Sequence, residues 1–245
     1  MRSLLLLSGL LCDETVWLDA AQDLASAAKL RIVSFQGFDS IPAMAEHVLQ
    51  MAPEQFLVAG HSMGGRVALE VFRQAKERVL GLALLNTGVH PLRAGEIESR
   101  GRLVKLARER GMSAVAADWL PPMMGASKSR IAEVMPKLQA MVERQTEESF
   151  AAQTKALLER PDAVLVLPTI QVPTLLASGT ADTWSPLTQH EEMRRQILEA
   201  TLVAIDDAGH MAPAEQPHAV AAAMHAWIDQ IAPGSRASSR LTSRP

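Results

Sequence analysis

The chain is 245 residues long, 48% hydrophobic and 21% charged, enough apolar material for one sizeable α/β core and too much for wholesale disorder. Its 24 Lys and Arg against 27 Asp and Glu give a formal net charge of -3, so nothing calls for a nucleic acid or an anionic membrane as partner. Aromatics make up 4% with no tyrosine, and the single cysteine, Cys12, excludes an intrachain disulfide framework and a cysteine-rich zinc site. No metal, no cofactor and a reducing, cytoplasmic setting are expected.

The chain opens MRSLLLLSGLLC, a basic residue, a leucine run and a cysteine that superficially resemble an export signal. The run is short, and Leu11 stands where such signals want a small side chain, so Leu4–Leu7 read as a strand buried on both faces. Further strands are expected at Leu30–Phe35, Gln55–Ala59, Val79–Asn86, Pro173–Ser178 and Thr201–Asp206, the first covering Ser3–Ser8. Amphipathic helices fall between them at Thr15–Lys29, Pro42–Met51, Met63–Lys76 and Pro186–Leu198, with a last one at Ala214–Ile231. That alternation predicts an α/β fold, a mostly parallel twisted sheet of about six strands with helices on both faces. Residues 163–181 carry no charge, but Pro168, Thr169, Gln171, Pro173 and Ser178 interrupt them, so they read as loop and strand.

Residues 90–167 break the rhythm. Helical periodicity at Ala94–Arg110, Ser129–Arg144 and Glu147–Glu159, without a strand, predicts an all-helical cap inserted into a body made of residues 1–89 and 168–232. Met112, Met123, Met124, Met135, Met141 and Trp119 fall in that insertion, where methionine suits a pliable pocket wall and apolar residues at helical spacing more often glue helices to a body. The polar stretch from Pro233 to Pro245 reads as a disordered tail, dispensable for folding.

The most informative stretch is QFLVAGHSMGGRVALEVF, starting at Gln55. An apolar strand runs directly into Gly60-His61-Ser62-Met63-Gly64 and a helical pattern follows, which is G-x-S-x-G between a strand and a helix. A turn that tight strains the central residue, leaves no room for a β-carbon two places to either side, and aims the Met63 amide and the helix N-terminus at whatever Ser62 attacks. A serine nucleophile needs a base, and the base an orienting acid. Of seven histidines, His61 is assigned to packing, His47, His190, His218 and His225 to solvated or capping roles, and His90 to a position that could touch substrate. His210, in the loop after a late strand, is the expected general base. Asp182, in the loop after Pro173–Ser178, is the expected acid, with Asp206 and Asp207 too close in sequence to reach round to the far imidazole nitrogen.

With GHSMGG at 60–65, SGTADTWSP at 178–186 and DAGHMAPAEQP at 207–217, the chain resembles a small capped serine esterase or lactonase of the α/β-hydrolase superfamily over about residues 2–231. The resemblance implies a Ser62–Asp182–His210 triad and oxyanion donation by the backbone amides of Met63 and Leu10. Ser8 stands where many relatives carry histidine, and the leading hairpin of the family sheet is missing, which leaves an edge that a homodimer could cover. Leu11, Trp119, Met123, Met124, Trp184 and Met211 are the expected pocket residues, giving an aliphatic, methionine-lined site without dense basic clusters. Cys12 beside the oxyanion loop is expected to be a small buried hydrophobe.

The expected activity is hydrolysis of a small to medium ester, thioester or lactone through an acyl-enzyme. Alternatives within the fold are enol-lactone or carbon–carbon bond hydrolysis and cofactor-free haloperoxidase side activity; dehalogenation would need an aspartate in place of Ser62. A triad-bearing ligand receptor or interaction protein with little turnover is the alternative from another class.

Overall fold

A computed structural model describes residues 1–231 of the chain; the tail expected from Pro233 onwards lies outside the described residues. Strand β1 (Arg2–Leu7) leads through a 3-10 turn (Glu14–Val16) into α1 (Leu18–Leu24), β2 (Ala28–Val33), α2 (Ile41–Met51), β3 (Phe56–His61), α3 (Met63–Ala75) and β4 (Val79–Leu85). Helices α4 (Glu96–Trp119), α5 (Lys128–Glu143) and α6 (Glu147–Leu158) follow, then β5 (Thr174–Gly179), α7 (Leu187–Arg194), β6 (Ala200–Ile205), a short α8 (Ala212–Glu215) and α9 (Pro217–Gln230). The six strands pair in the order β2-β1-β3-β4-β5-β6, all parallel. Helix α1 packs against α9 and α2 against α3. Because the chain steps outward from β1 to β2 and then back across β1 to β3, right-handed crossovers put those two pairs on opposite faces.

Burial explains the leucine run. Leu4 to Leu7 are at most 2% exposed because β1 is covered on both faces, whereas the edge strand β2 alternates between buried and exposed residues. All six strands lie within one or two residues of their expected bounds. The helices depart further. The pattern from Thr15 to Lys29 breaks into the 3-10 turn, capped by the Asp13 carboxylate on the Thr15 amide, and α1, since Ala28 and Lys29 are drawn into the ladder opposite Arg2 and Ser3. The expected last helix is two, because Pro217 has no N–H to continue α8 and instead opens α9.

Between β4 and β5 the described elements are all helical. Helix α4 carries a break at Gly111 (φ 78°, ψ 175°), a left-handed φ available to glycine at little cost. Gln153 ties α6 to the sheet body by accepting the Leu11 amide at 3.0 Å and donating to the Phe35 carbonyl at 2.9 Å, with Ser149 accepting the Gly37 amide and Lys155 pairing with Asp39 nearby. No helix among the described residues is long and apolar enough to cross a membrane.

Candidate active site

The order of the strands decides where chemistry can gather. The connection from β1 runs to β2 on one side and that from β3 runs to β4 on the other, so the loops leaving β1 and β3 part at their carboxyl ends and leave a crevice. Strands β1 and β3 are paired with Leu7 opposite Gly60, which brings Leu10 and Ser62, three and two residues further on, to the same edge. Ser62 takes φ 56° and ψ -116°, the strained conformation that G-x-S-x-G exists to hold. A β-carbon on Gly60 would overlap the Gly64 carbonyl, the physical reason for glycine there. Thr87, just past β4, clamps the turn by donating its hydroxyl to the Ser62 carbonyl at 2.7 Å.

The loops after β5 and β6 bring in the other two groups. The Ser62 hydroxyl lies 2.8 Å from His210 Nε2, and His210 Nδ1 lies 2.9 Å from Asp182 Oδ2. A carboxylate only accepts, so Nδ1 carries the proton and Nε2 is the acceptor for the serine hydroxyl. Asp182 Oδ1 takes the amides of Trp184 and Ser185 at 2.8 and 2.9 Å, and Oδ2 also takes Asn86 Nδ2 at 2.9 Å. Burial would raise this carboxyl, but the His210 ring, Asn86 and the amides together hold it well below the usual carboxylate range.

Several supporting residues had no signal in the sequence. Asn86, at φ 49° directly after β4, bridges Asp182 and the Gly209 carbonyl, the latter at 3.0 Å. Glu215, fully buried, accepts four backbone amides: Gly125 and Ala126 at 2.7 Å, Gly209 at 2.9 Å and Met211 at 3.1 Å. It thereby fastens the His210 loop to the turn before α5, and His210 itself donates its amide to the Met123 carbonyl at 2.7 Å. Burial pushes the Glu215 carboxyl up although those four donors oppose the rise. His61 is buried as expected but has a definite duty: its Nε2 donates to the His210 carbonyl at 2.8 Å, and burial drives its pKa down to about 3, keeping it neutral.

His190 corrects its expected solvated or capping role. It is fully buried, accepts the Thr87 amide at 3.3 Å and donates from Nδ1 to the Pro186 carbonyl at 3.2 Å. His47 lies against Phe38, His218 pairs with Asp23, and His225 reaches the Asp23 carbonyl. Cys12 is buried, its thiol directed to the Leu10 carbonyl and its pKa pushed up by burial, so it carries no thiolate.

A cavity of about 400 Å³ opens over Ser62 and His210. Leu10 and Met63 line it, and neither backbone amide has a hydrogen-bond partner among the described residues. Trp119, Met123 and Trp184 also line it, Trp184 with its ring 6.3 Å from that of His210. Leu11, Met124 and Met211 do not: Leu11 is turned into the core at φ 58° with its amide held by Gln153, Met124 packs against the core, and Met211 is fully buried beside Glu215. The expectation of an aliphatic, methionine-lined pocket is corrected as well. Arg66, Arg93, Arg100 and Arg102 line the cavity with one carboxylate, Glu96.

Residues 4–223 match the family described as "Alpha/beta hydrolase family". The chain belongs to the α/β hydrolase family. Among relatives of this hydrolase is a pimeloyl-[acyl-carrier protein] methyl ester esterase from Nitrosomonas europaea, 26% identical over 223 residues, covering 84% of this chain and 88% of the relative. A thermophilic esterase from Thermogutta terrifontis, solved with malate bound, superposes with a TM-score of 0.84 at 28% identity, covering 94% and 90% of the two chains. The enol-lactonase from Burkholderia xenovorans LB400 gives 0.83 at 22% identity over 93% and 91%, a likeness of fold.

Proposed function

We propose that this α/β hydrolase is a serine esterase that cleaves a small to medium carboxylic ester, thioester or lactone through an acyl-enzyme. The observation that carries the reading is the hydrogen-bonded chain Ser62–His210–Asp182 at the floor of a cavity into which two unpartnered amides, Leu10 and Met63, open. The similarity to esterases at 26% and 28% identity supports the same chemistry.

In this mechanism His210 Nε2 takes the Ser62 proton as the oxygen attacks the carbonyl carbon. The tetrahedral oxyanion is held by the Leu10 and Met63 amides, each donor worth about 3 kcal/mol of transition-state stabilisation. Asp182 fixes the imidazole tautomer and stabilises the imidazolium. Proton donation from His210 releases the alcohol, thiol or ring-opened end; a water activated by the same nitrogen then hydrolyses the acyl-enzyme. The helical segment between β4 and β5 acts as a cap, supplying Trp119 and Met123 to the wall above the serine.

Labelling by a fluorophosphonate probe and steady-state hydrolysis of p-nitrophenyl esters test the reading together. The wild-type chain is expected to label and turn over, and Ser62→Ala to do neither while its melting temperature is retained. Labelling without turnover would favour a triad-bearing receptor, and turnover retained in Ser62→Ala would overturn the assignment.

A further inference from the structure

The charges in the cavity are poorly matched. Arg100 pairs with Glu96 at 2.9 Å, and Arg160 takes both oxygens of the same carboxylate, at 2.8 and 2.7 Å, from behind the wall. Burial would raise Glu96, yet the two guanidiniums hold it at about 2, so its single charge is fully used. Arg102 has its own partner in Asp118 at 2.8 Å. Arg66 and Arg93 have no carboxylate within ion-pair distance among the described residues.

Arg66 stands out for position. It sits one turn into α3, four residues after Ser62, and its hydrogen bond is to the His90 carbonyl at 3.3 Å. Burial, with repulsion from Arg160, Arg100 and Arg93 only partly offset by Glu96, lowers its pKa to about 9. His90, between these guanidiniums, is driven down to about 4 by burial and by Arg66, Arg93 and Arg160, so it is a neutral polar wall at pH 7. The Thr154 hydroxyl, on α6, lines the same cavity at 4% exposure of the residue and has no hydrogen-bond partner among the described residues. A partly buried guanidinium without a counter-ion is costly, and a buried hydroxyl without a partner adds to that cost. Both costs are relieved by one event, the arrival of an oxyanion whose planar or tetrahedral oxygens match the guanidinium fork.

Resting on the esterase reading, we infer that the substrate carries an oxyanionic group, carboxylate or phosphate, away from its scissile bond, and that Arg66 and Arg93 bind that group. The cavity is then bipartite. Ser62, His210 and the two amides hold the reacting carbonyl, the apolar wall of Trp119, Met123 and Leu157 covers the linking carbons, and the arginines take the charged end. The exposed Arg93 stands at the mouth, where a charge also steers an anion inward.

The test compares the mono-p-nitrophenyl ester of glutaric acid with its methyl-capped, neutral isostere. The hemiester is expected to show a kcat/KM at least tenfold higher, mainly through KM, and Arg66→Gln and Arg93→Gln each to shrink that ratio severalfold. Glutarate and inorganic phosphate, assayed as competitive inhibitors, separate the two sources of the anion: whichever competes at the lower concentration, and loses that competition in Arg66→Gln, is the one the site takes. Equal or lower kcat/KM for the hemiester, or a ratio unmoved by both arginine variants, overturns the inference while leaving the esterase reading standing. Absence of turnover on both esters overturns the esterase reading instead. In that event calorimetry of glutarate and phosphate with the Ser62→Ala chain decides: binding that Arg66→Gln weakens supports an anion subsite, and no binding of either removes it.

Discussion

The sheet body and the helical segment between β4 and β5 hold their functional groups by different physics. In the body, Leu10, Ser62, Asp182 and His210 each follow a parallel strand by a few residues, so backbone pairing fixes where they stand. Strand β3 is fully buried, and the turn after it admits no β-carbon at Gly60. In the helical segment most contacts that reach the site are made by side chains, Arg160 and Arg100 on Glu96 and Gln153 on Leu11 and Phe35, beside the Met123 carbonyl that accepts the His210 amide. Its break at Gly111 faces open space, with nothing within 4 Å of an added β-carbon. The body therefore places its groups through the chain path, whereas the charged wall of the cavity is assembled from side chains of both regions, Arg66 from α3 and Arg93, Glu96 and Arg100 from the segment between β4 and β5.

Four substitutions press on that contrast, the largest effect first. Asp182→Asn keeps the shape of the site but turns an acceptor for His210 Nδ1–H into a group that favours the wrong tautomer, and is expected to lower kcat by about 10⁴-fold. Steady-state rates on a p-nitrophenyl ester, with circular dichroism as the folding control, measure it; a loss under tenfold would detach Asp182 from the mechanism. Gly60→Ala drives a methyl group into the Gly64 carbonyl and is expected to cost about 4 kcal/mol or more of stability. Urea unfolding reads that, and a cost below about 1 kcal/mol would mean the turn is less constrained than its geometry requires.

Glu96→Gln removes the counter-ion shared by Arg100 and Arg160, at a cost on the order of 3 kcal/mol near neutral pH. The sign with pH follows from Glu96 being held at about 2, below its ordinary 4.5. A depressed carboxyl contributes stability that is fully present above about 4.5 and is lost as pH falls toward about 2. Melting temperatures of the two chains should thus converge across that window; a constant gap from pH 7 to pH 2 would count against the pairing. Gly111→Ala should be the mildest change, about 2 kcal/mol from a backbone conformation that side chains rarely adopt, with no clash to add. If it rivals Gly60→Ala in cost, the contrast between the two regions fails.

Legibility in the sequence follows the same division. The strands read correctly because burial on both faces forces continuous apolar runs, and the turn around Ser62 because its steric demands leave glycine in the chain itself. Asp182 and His210 were reachable because each sits in a loop directly after a strand. Helix ends were less visible: Ala28 and Lys29 look helical until the ladder with Arg2 and Ser3 claims them. Leu11 and Met211 were assigned to the pocket on hydrophobicity, yet hydrophobicity suits core and pocket alike, and a left-handed turn at Leu11 sends it inward.

By itself, the sequence determined a mostly parallel sheet interrupted by helices, a serine on a strained turn, and an aspartate and a histidine in later loops. Those properties follow from local sterics and periodic burial, which are written residue by residue. Only the tertiary structure decided that Arg66 on α3 shares one cavity with Arg93 and Arg100 from the helical segment, and that Glu96 answers too few of their charges. A near-neutral net charge hides such a cluster, because Coulomb energy depends on distances in space and composition records only totals.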